Sequence, residues 1–395
     1  MRRLVAVLFA AVVGLASAQV TIGILSPLTG GAAGTGQAQK AGFELALAEI
    51  NAAGGVLGQP LRIIIEDDKA DAATSVAAFE KLMTEDGVEF IAGGFASGAT
   101  LALVESFRTF QPIVSWIGGA ASGIGNDDFD GIEELLGQED WFFHIHPWDY
   151  QNVEATFGYL TELGVKSVAI LHENGAFGTP GAAGLQLGLQ GLGIDVALVE
   201  AFQSTLTGGT GDFRATLSKV GAANADMLYW IGYDSDAQPL TSQVQELNVA
   251  PPYIFGAPPG WPAGFGAAPE AQCVTGLIGY LPNLPNSEAV AFAGAYRAMH
   301  GADPDNYMSA LAYAQLWSYA DAINAAGTTD QAAVIDQLKT GTFRSPMGDW
   351  SFSPSIVGKH QGFGSEMWLV FQYQNGVREI VWPSARATAP LASCF

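Results

Sequence analysis

The sequence predicts an α/β protein built from parallel β-sheets with helices on both faces. Short apolar runs alternate with longer segments of helical periodicity along most of the 395 residues, and such alternation is typical of βαβ units. The pattern also repeats, because a strand, a glycine-rich loop and a helix over residues 22–50 are echoed over residues 168–192. A chain of this length can form two domains of ordinary size. We therefore predict two similar α/β lobes.

Each element follows from its own hydrophobic pattern. The predicted strands are 20–25, 61–66, 89–93, 112–117, 141–146, 167–172, 195–200, 227–232, 253–256 and 367–373. The predicted helices are 36–53, 72–86, 100–110, 151–163, 181–192, 212–220, 237–247, 287–300, 307–326 and 330–339. Two stretches rich in glycine, proline or serine, 251–266 and 345–353, interrupt the periodicity and are interpreted as crossovers between the lobes.

Residues 1–18 are predicted to be a signal peptide. Arg2 and Arg3 precede an apolar run, and Ala16-Ser17-Ala18 is a small-residue cleavage pattern. We expect cleavage near Ala18 and a periplasmic or secreted mature protein. The apolar run is too short to span a bilayer, and no later stretch reaches about 18 uninterrupted apolar residues, so we do not expect a membrane-embedded protein.

Charge excludes some classes of binding partner, and the cysteine content allows one disulfide. The formal net charge is −23, so nucleic acid and anionic membranes would be repelled. Cys273 and Cys394 are the two cysteines. An oxidising compartment would allow a disulfide between them, and two unpaired thiols are the alternative.

The motifs of common enzymes are missing. No Gly-x-Ser-x-Gly elbow surrounds Ser97 or Ser122, there is no Walker loop, and Gln39 stands where the third glycine of a dinucleotide-binding motif belongs. We expect neither an enzyme nor a cofactor.

Two patterns resemble metal sites but are incomplete. His144 and His146 would share one face of a predicted strand, but no third ligand is evident. Residues 126–131 open like a calcium loop, yet Gly137 stands where the bidentate glutamate is needed. We interpret the histidines as structural or ligand-facing and residues 126–131 as a solvated acidic loop, with no metal, while the role of the whole acidic segment 122–140 stays open.

The loop 93–100 is the best candidate for binding a ligand. It follows an apolar strand and opens a helix, so backbone amides near Ser97 would face outward at the positive end of that helix. Such a site holds a carboxylate without lysine or arginine. The alternative is that Ser97 only caps the helix.

Aromatic residues recur at the predicted strand ends and in the following loops. They are Trp116, Trp148, Tyr150, Phe177, Tyr233 and Trp261. Any one of them could belong to the core, but together at the ends where ligands bind they indicate an apolar cleft.

Several segments resemble one family over nearly the whole mature chain. They are 22–30, 49–58, Asp67-Asp68 with Asp71, 169–178, and Gly211-Asp212-Phe213. In order and spacing they resemble the Leu/Ile/Val-binding (branched-chain amino acid and amide) family of ABC importer substrate-binding proteins. The resemblance implies a type I periplasmic-binding-protein fold, in which two doubly wound parallel-sheet lobes are joined by three crossovers.

The resemblance also implies boundaries and partners. Lobe I would hold residues 19–144 plus 257–344, and lobe II residues 145–256 plus 345–395. The protein would be a monomer that captures a small molecule between its lobes and delivers it to permease and ATPase subunits.

The ligand site implied by the resemblance centres on Ser97, which would receive a carboxylate. The loop of Ile117, Gly118 and Gly119 would contribute its backbone, and Phe177 and Tyr233 the aromatic walls of the second lobe. The full set of predicted ligand-binding residues is Thr35, Ser97, Gly98, Thr100, Trp116, Ile117, Gly118, Gly119, Phe177, Tyr233 and Pro259.

Two positions depart from the amino-acid binders of this family. Pro259 stands where a glutamate holds the ligand ammonium, and Gly119 stands where a threonine contacts the ligand. An unpaired buried ammonium costs several kcal/mol. Zwitterions should therefore be excluded unless a substitute acid is present; the candidates are Asp234, Asp236 and Glu173.

We accordingly expect a small carboxylate or amide with an apolar or aromatic body, and weak binding of leucine. One alternative is an amino-acid binder proper that uses a substitute acid. Another is a ligand sensor for a membrane receptor, since the same fold serves as a receptor ectodomain.

Overall fold

The computed structural model describes residues 19–125, 136–249, 251–257, 261–262 and 264–392. The predicted signal peptide, most of the acidic segment 122–140, Pro259 and Cys394 lie outside the described residues.

The described residues form strands and helices that alternate for most of the chain. The strands are β1 (Thr21–Ser26), β2 (Arg62–Asp67), β3 (Phe90–Gly93), β4 (Ile113–Trp116), β5 (Phe142–His144), β6 (Ser167–Glu173), β7 (Asp195–Phe202), β8 (Met227–Ile231), β9 (Tyr253–Gly256), β10 (Thr275–Ile278), β11 (Leu369–Gln374) and β12 (Val377–Trp382). The helices are α1 (Ala33–Ala52), α2 (Ala72–Thr84), α3 (Ser97–Phe110), α4 (Asp149–Leu163), α5 (Gly178–Gly191), α6 (Arg214–Ala223), α7 (Asp234–Glu246), α8 (Ser287–His300), α9 (Met308–Ala326) and α10 (Gln331–Thr340).

The first sheet has the order β2-β1-β3-β4-β5, and all of its strands are parallel. Its two faces are both buried, as expected for a parallel sheet. Ile22 and Ile24 of β1 face one hydrophobic cluster with α1 and α9, whereas Leu25 faces a second cluster with α2 and α3. Continuous apolar runs in the sequence predicted this arrangement.

The second sheet has the order β12-β11-β10-β9-β8-β6-β7. Strands β6 to β10 are parallel, while β11 pairs antiparallel with both β10 and β12. The prediction of an α/β fold with two parallel sheets is confirmed. The antiparallel hairpin of β11 and β12 at one edge is an addition, because only the 367–373 strand was predicted and its partner was not.

The chain passes between the two sheets three times. It leaves the first sheet after β5, returns after β10 through α8 and α9, which pack on α1, and rejoins the second sheet at β11. β10 belongs to the second sheet, although residues 257–344 were predicted to lie in the first lobe. The glycine and proline residues of 251–266 interrupt the periodicity, but the chain adds one more strand before it crosses. The division into lobes stays a prediction.

Two further features concern the predicted localisation and cysteines. Within the described residues, no helix is both long enough and apolar enough to cross a membrane. Cys273 is disulfide-bonded. Its predicted partner, Cys394, lies outside the described residues, so the pairing itself stays a prediction.

Candidate functional site

A small cavity lies where the carboxyl ends of the two sheets face each other. Small ligands bind at such ends in open parallel sheets. The space between protein atoms there amounts to about 310 Å³, a figure that includes space open to solvent. Its lining residues are Phe95, Ser97, Ile117, Gly118, Gly119, Ala120, His146, Phe177, Tyr233, Tyr307 and Met308. Most of them stand just after β3, β4, β5, β6 or β8.

Ser97 is the first residue of α3, and Ala96 holds the N-cap position without a side-chain hydrogen bond. The interpretation of Ser97 as a plain N-cap is therefore wrong. The Ser97 hydroxyl oxygen accepts a hydrogen bond from the Ala121 amide at 3.2 Å. Since a serine hydroxyl also has one hydrogen to donate, it can still bond an acceptor in the cavity. The positive end of α3 favours an anion at the same place.

Tyr233 reaches Ser97 from the opposite sheet. Burial raises the pKa of the Tyr233 hydroxyl, and a hydrogen bond with the Ser97 backbone partly opposes that shift. The Tyr233 ring lies 5.8 Å from the ring of Phe95 and 5.5 Å from that of Phe177, measured between centroids. Aromatic walls from both sheets thus enclose the cavity.

The loop after β4 forms the floor beside Ser97. The Ile117 amide donates to Gly93, and the Gly119 amide donates to Phe95 at 2.6 Å. Gly119 has a φ of +67°, and a Cβ there would lie 2.6 Å from Thr100 Oγ1. A threonine at this position would be strained and would clash. The glycine at position 119, where amino-acid binders of the family have a threonine, thus has a steric reason in this chain.

His146 and Tyr307 line the other part of the cavity, and His146 Nε2 lies 2.9 Å from the Tyr307 hydroxyl. Burial lowers the pKa of His146 to about 4, so the ring is neutral at pH 7. His144 points elsewhere: its ring stacks on Trp148 at 3.6 Å, and its Nε2 contacts the carbonyl oxygen of Gly118 at 2.9 Å. The two histidines therefore have different roles.

Several predicted site residues lie away from the cavity. Thr100 is fully buried; its hydroxyl donates to Ala96 and accepts from the indole of Trp116, both at 3.0 Å. Trp116 packs in the core against Phe107. The Thr35 hydroxyl donates to Asp234 at the start of α7. Gly98 is exposed, and Pro259 lies outside the described residues.

Of the six aromatic residues predicted to form the cleft, only Phe177 and Tyr233 line this cavity. Trp116 and Trp148 are among the most deeply buried side chains. Trp261 packs against Trp230 at 5.2 Å.

The three acids proposed as substitute ammonium acceptors differ sharply. Glu173 accepts hydrogen bonds from the amides of Gly175, Phe177 and Gly178 at 2.6, 3.0 and 2.6 Å. It therefore caps the start of α5, and both of its oxygens already accept backbone hydrogen bonds.

Both oxygens of Asp236 also accept hydrogen bonds, from the Ser204 hydroxyl and from the Thr205 amide and hydroxyl.

Asp234 has one oxygen without a hydrogen bond. Its Oδ2 accepts from the Thr35 hydroxyl at 3.0 Å, while its buried Oδ1 has no partner among the described residues. Burial raises the pKa of Asp234 to about 6. Of the three acids, only Asp234 has a carboxylate oxygen without a hydrogen-bond partner among the described residues.

The predicted ligand-binding set omits five of the lining residues. They are Phe95, Ala120, His146, Tyr307 and Met308. Phe95 and Ala120 adjoin predicted residues, so extending each strand-end loop by one or two positions would have found them. His144 and His146 were predicted to share one face of a strand. β5 ends at His144, so His146 lies in the loop beyond the strand and the two side chains do not share a face. Tyr307 and Met308 carry no local signal.

Other locations fit a solute-binding site less well. An open groove of about 850 Å³ between α1, α8 and α9 is lined by residues such as Glu49, Tyr313 and Trp317. It lies away from the strand ends and contains none of the predicted site residues. Among the described residues, no three His, Cys, Asp or Glu side chains converge as metal ligands.

Two α/β lobes facing one small cavity across their strand ends define a two-lobed solute-binding protein. The chain belongs to the periplasmic binding protein family, whose sequence profile matches residues 19–376.

Known proteins resemble the chain over most of its length. An "Amino acid binding protein" of Pseudomonas aeruginosa is 28% identical over 352 residues, covering 87% of this chain and 90% of the relative. The solute-binding protein of an R. palustris ABC transporter, solved with benzoate, has a TM-score of 0.80 at 18% identity and covers 95% of this chain and 99% of its own. A leucine-binding protein of Thermotoga maritima has a TM-score of 0.77 at 20% identity, covering 91% and 97%. These solved structures share the fold.

Proposed function

We propose that this protein captures a small carboxylate with an apolar or aromatic body and delivers it, in the periplasm, to the membrane subunits of an ABC importer. The observation that carries the ligand class is the character of the cavity. It offers the Ser97 hydroxyl and the start of α3 to an anion, and aromatic rings to the rest of the ligand. No lining residue is charged at pH 7, since His146 is neutral.

The absence of a lining carboxylate argues against zwitterions. An amino acid would bury its ammonium group among Phe95, Phe177 and Tyr233 without a counter-charge, which costs several kcal/mol. A benzoate-like carboxylate has no such group. That an R. palustris structure sharing this fold holds benzoate supports choosing benzoate as the first probe.

A second candidate is an amino-acid binder that uses Asp234. The specific observation in its favour is the buried Oδ1, which has no partner among the described residues. Against it, Asp234 is not one of the residues lining the cavity. Several relatives, such as the Pseudomonas aeruginosa protein, carry amino-acid-binding names.

Calorimetry with benzoate and with leucine separates the two candidates. We expect benzoate to bind and leucine to bind at least about 100-fold more weakly, and tight leucine binding would refute the proposal. Ser97→Ala should weaken benzoate binding by about 10- to 100-fold, because a hydrogen bond to a charged group is worth about 1.5–3 kcal/mol. Ser318→Ala removes another buried serine, whose hydroxyl bonds Gln315 within α9, and should leave affinity unchanged.

Mass spectrometry of the purified protein tests the proposal without choosing a probe. We expect a small acid to be released on denaturation. A binding protein should stabilise with added solute as RT ln(1 + [L]/Kd) and return the solute chemically unchanged. Conversion of the solute to a product would instead indicate an enzyme.

A further inference from the structure

His146 and Tyr307 form a hydrogen-bonded pair in the wall of the cavity. The two residues are 161 positions apart in the chain, and only 5% and 4% of their surfaces are exposed. The His146 Nε2 to Tyr307 hydroxyl distance is 2.9 Å. The proposed function assigns no hydrogen bond with the ligand to this pair.

The direction of the hydrogen bond follows from the other ring nitrogen. His146 Nδ1 lies 2.6 Å from the carbonyl oxygen of Pro147, and a carbonyl oxygen can only accept. Nδ1 therefore carries the hydrogen of the neutral ring, and this assignment of the tautomer leaves Nε2 as an acceptor. The Tyr307 hydroxyl must then donate its single hydrogen to His146.

Surrounding groups hold this arrangement in place. The indole of Trp368 packs edge-on against both rings, with centroids 5.5 Å from His146 and 5.4 Å from Tyr307. The Trp368 Nε1 in turn donates to Asn152 Oδ1 at 2.8 Å. Burial, followed by the charge of Asp234, raises the pKa of Tyr307, so its hydroxyl stays protonated. The phenol oxygen can offer the cavity lone pairs but no hydrogen.

The cavity consequently has two different polar parts. At Ser97 it offers a hydroxyl hydrogen and the positive end of a helix, which suit a carboxylate. At Tyr307 it offers only an acceptor. A ligand group without a hydrogen to donate would leave that buried oxygen unpaired, which is unfavourable.

We infer that the His146–Tyr307 pair is a specificity-determining acceptor, so that the protein prefers carboxylates bearing a second hydrogen-bond donor, such as a ring hydroxyl, over otherwise equal carboxylates without one. This inference rests on the proposed function, because it assumes that the ligand binds by its carboxylate at Ser97.

The test is calorimetry with matched probes: benzoate, and its hydroxy, methyl and formyl derivatives substituted at position 3 or position 4. Hydroxyl and methyl are similar in size, whereas formyl offers only an acceptor. We expect one of the two hydroxybenzoates to bind at least about tenfold more tightly than the methyl and formyl compounds of the same position.

Two variants assign that preference to the pair. Tyr307→Phe alone would expose the Nε2 lone pair of His146 as a substitute acceptor. The double variant Tyr307→Phe/His146→Leu removes both acceptors, so its ratio of hydroxy to methyl affinity should fall to about one. Tyr280→Phe is the matched control, because it removes another buried tyrosine hydroxyl, bonded to the Ala289 carbonyl at 3.2 Å, and should leave the ratio unchanged. His146→Leu releases the Tyr307 hydrogen, so the formyl compound should gain about tenfold over the methyl compound.

The outcomes distinguish failure of the His146–Tyr307 inference from failure of the proposed ligand class. If benzoates bind but wild type does not distinguish hydroxyl from methyl, or if the double variant Tyr307→Phe/His146→Leu keeps the full ratio, the inference is overturned while the proposed ligand class stands. If none of the benzoates binds, the ligand class is wrong and the inference falls with it.

Discussion

The Thr35 hydroxyl donates a hydrogen bond of 3.0 Å to Asp234 Oδ2, and this bond joins α1, which packs with the first sheet, to α7, which follows β8 of the second. Asn306 supports the same contact, because its side-chain amide donates to Thr35 Oγ1 at 3.2 Å. Thr35 was predicted to contact the ligand, but in the structure its hydroxyl is bonded to Asp234 on the opposite side of the cleft. The bond can form only while the two sides are close together.

We therefore expect Thr35→Val to weaken solute binding by about tenfold. The variant keeps the shape of the side chain but leaves Asp234 without a donor, which costs about 1.5–3 kcal/mol in the closed form and much less when the cleft is open to water. Thr35→Ser retains the hydroxyl and is the control. Calorimetry with benzoate measures the effect, and an unchanged Kd would show that the bond does not contribute to closure.

Asp234→Asn should stabilise the protein at neutral pH. Burial raises the pKa of Asp234 from 3.8 to about 6. Its protonated form therefore contributes stability that is full below pH 3.8 and is lost as the pH rises through 6. Above that pH, the buried charge costs about 3 kcal/mol at most, by about 1.4 kcal/mol per pKa unit.

The asparagine is neutral at every pH, so we expect a gain of about 1–3 kcal/mol in unfolding free energy at pH 7.5 and a smaller gain at pH 4.5. Urea titrations at the two pH values measure this gain, with Asp195→Asn, at the exposed first residue of β7, as the control. The expectation would be contradicted if the variant gained the same unfolding free energy at both pH values, or if it were less stable than wild type at pH 7.5. The same variant should bind benzoate nearly as well as wild type, whereas an amino acid held by Asp234 would be lost.

Gly119→Ala should destabilise the protein by about 2–4 kcal/mol. The residue has a φ of +67°, and the added Cβ would press on Thr100 Oγ1, whose hydroxyl is already bonded to Ala96 and Trp116. Strain and overpacking add together here. Chemical denaturation measures the loss.

Gly123→Ala is the matched control for Gly119. It lies four positions further along the same loop, where an added Cβ meets nothing within 4 Å. We expect a change of no more than about 0.5 kcal/mol there. Equal effects at the two positions would mean that the loop relaxes freely around Gly119.

Glu173→Gln should lower stability by about 2–4 kcal/mol and weaken binding. One amide oxygen cannot replace two carboxylate oxygens that accept three backbone hydrogen bonds, and the new amide hydrogens would face backbone donors. Phe177 should then shift from the cavity wall.

Glu200→Gln serves as the comparison for Glu173. Its ion pair with Lys219 at 2.8 Å is at the surface, so a change of about 1 kcal/mol or less is expected. Denaturation and calorimetry together test both variants. If Glu173→Gln abolished binding without loss of stability, Glu173 would contact the ligand directly.

Much of the candidate site could be predicted because it lies at strand ends. Ser97, the 117–119 loop, Phe177 and Tyr233 each follow a run of apolar residues that marks a buried strand. In a parallel sheet such ends meet along one edge, so local patterns sufficed to bring them together. The same patterns identified the strands of both sheets, apart from the short β10 and the β12 edge strand.

The differences between the predicted residues and those lining the cavity have a common cause. Trp116 and Thr100 stand in the correct segments, but their side chains point into the core, where they bond each other. Tyr307 lies far from every predicted site segment, and only the packing of α9 brings it to His146. The direction in which a side chain points, and the contacts between residues far apart in the chain, depend on the whole fold. A short window of sequence does not predict them.

The sequence by itself determined the class of this molecule: an α/β chain with ligand-binding loops after defined strands, because hydrophobic periodicity and loop composition are local properties. Tertiary structure alone decided the chemistry of the cavity. It engaged both carboxylate oxygens of Glu173 and of Asp236 in hydrogen bonds and joined Asp234 to Thr35, 199 positions away. A side chain is free for a ligand only if its neighbours leave it unpaired, and those neighbours are chosen by packing.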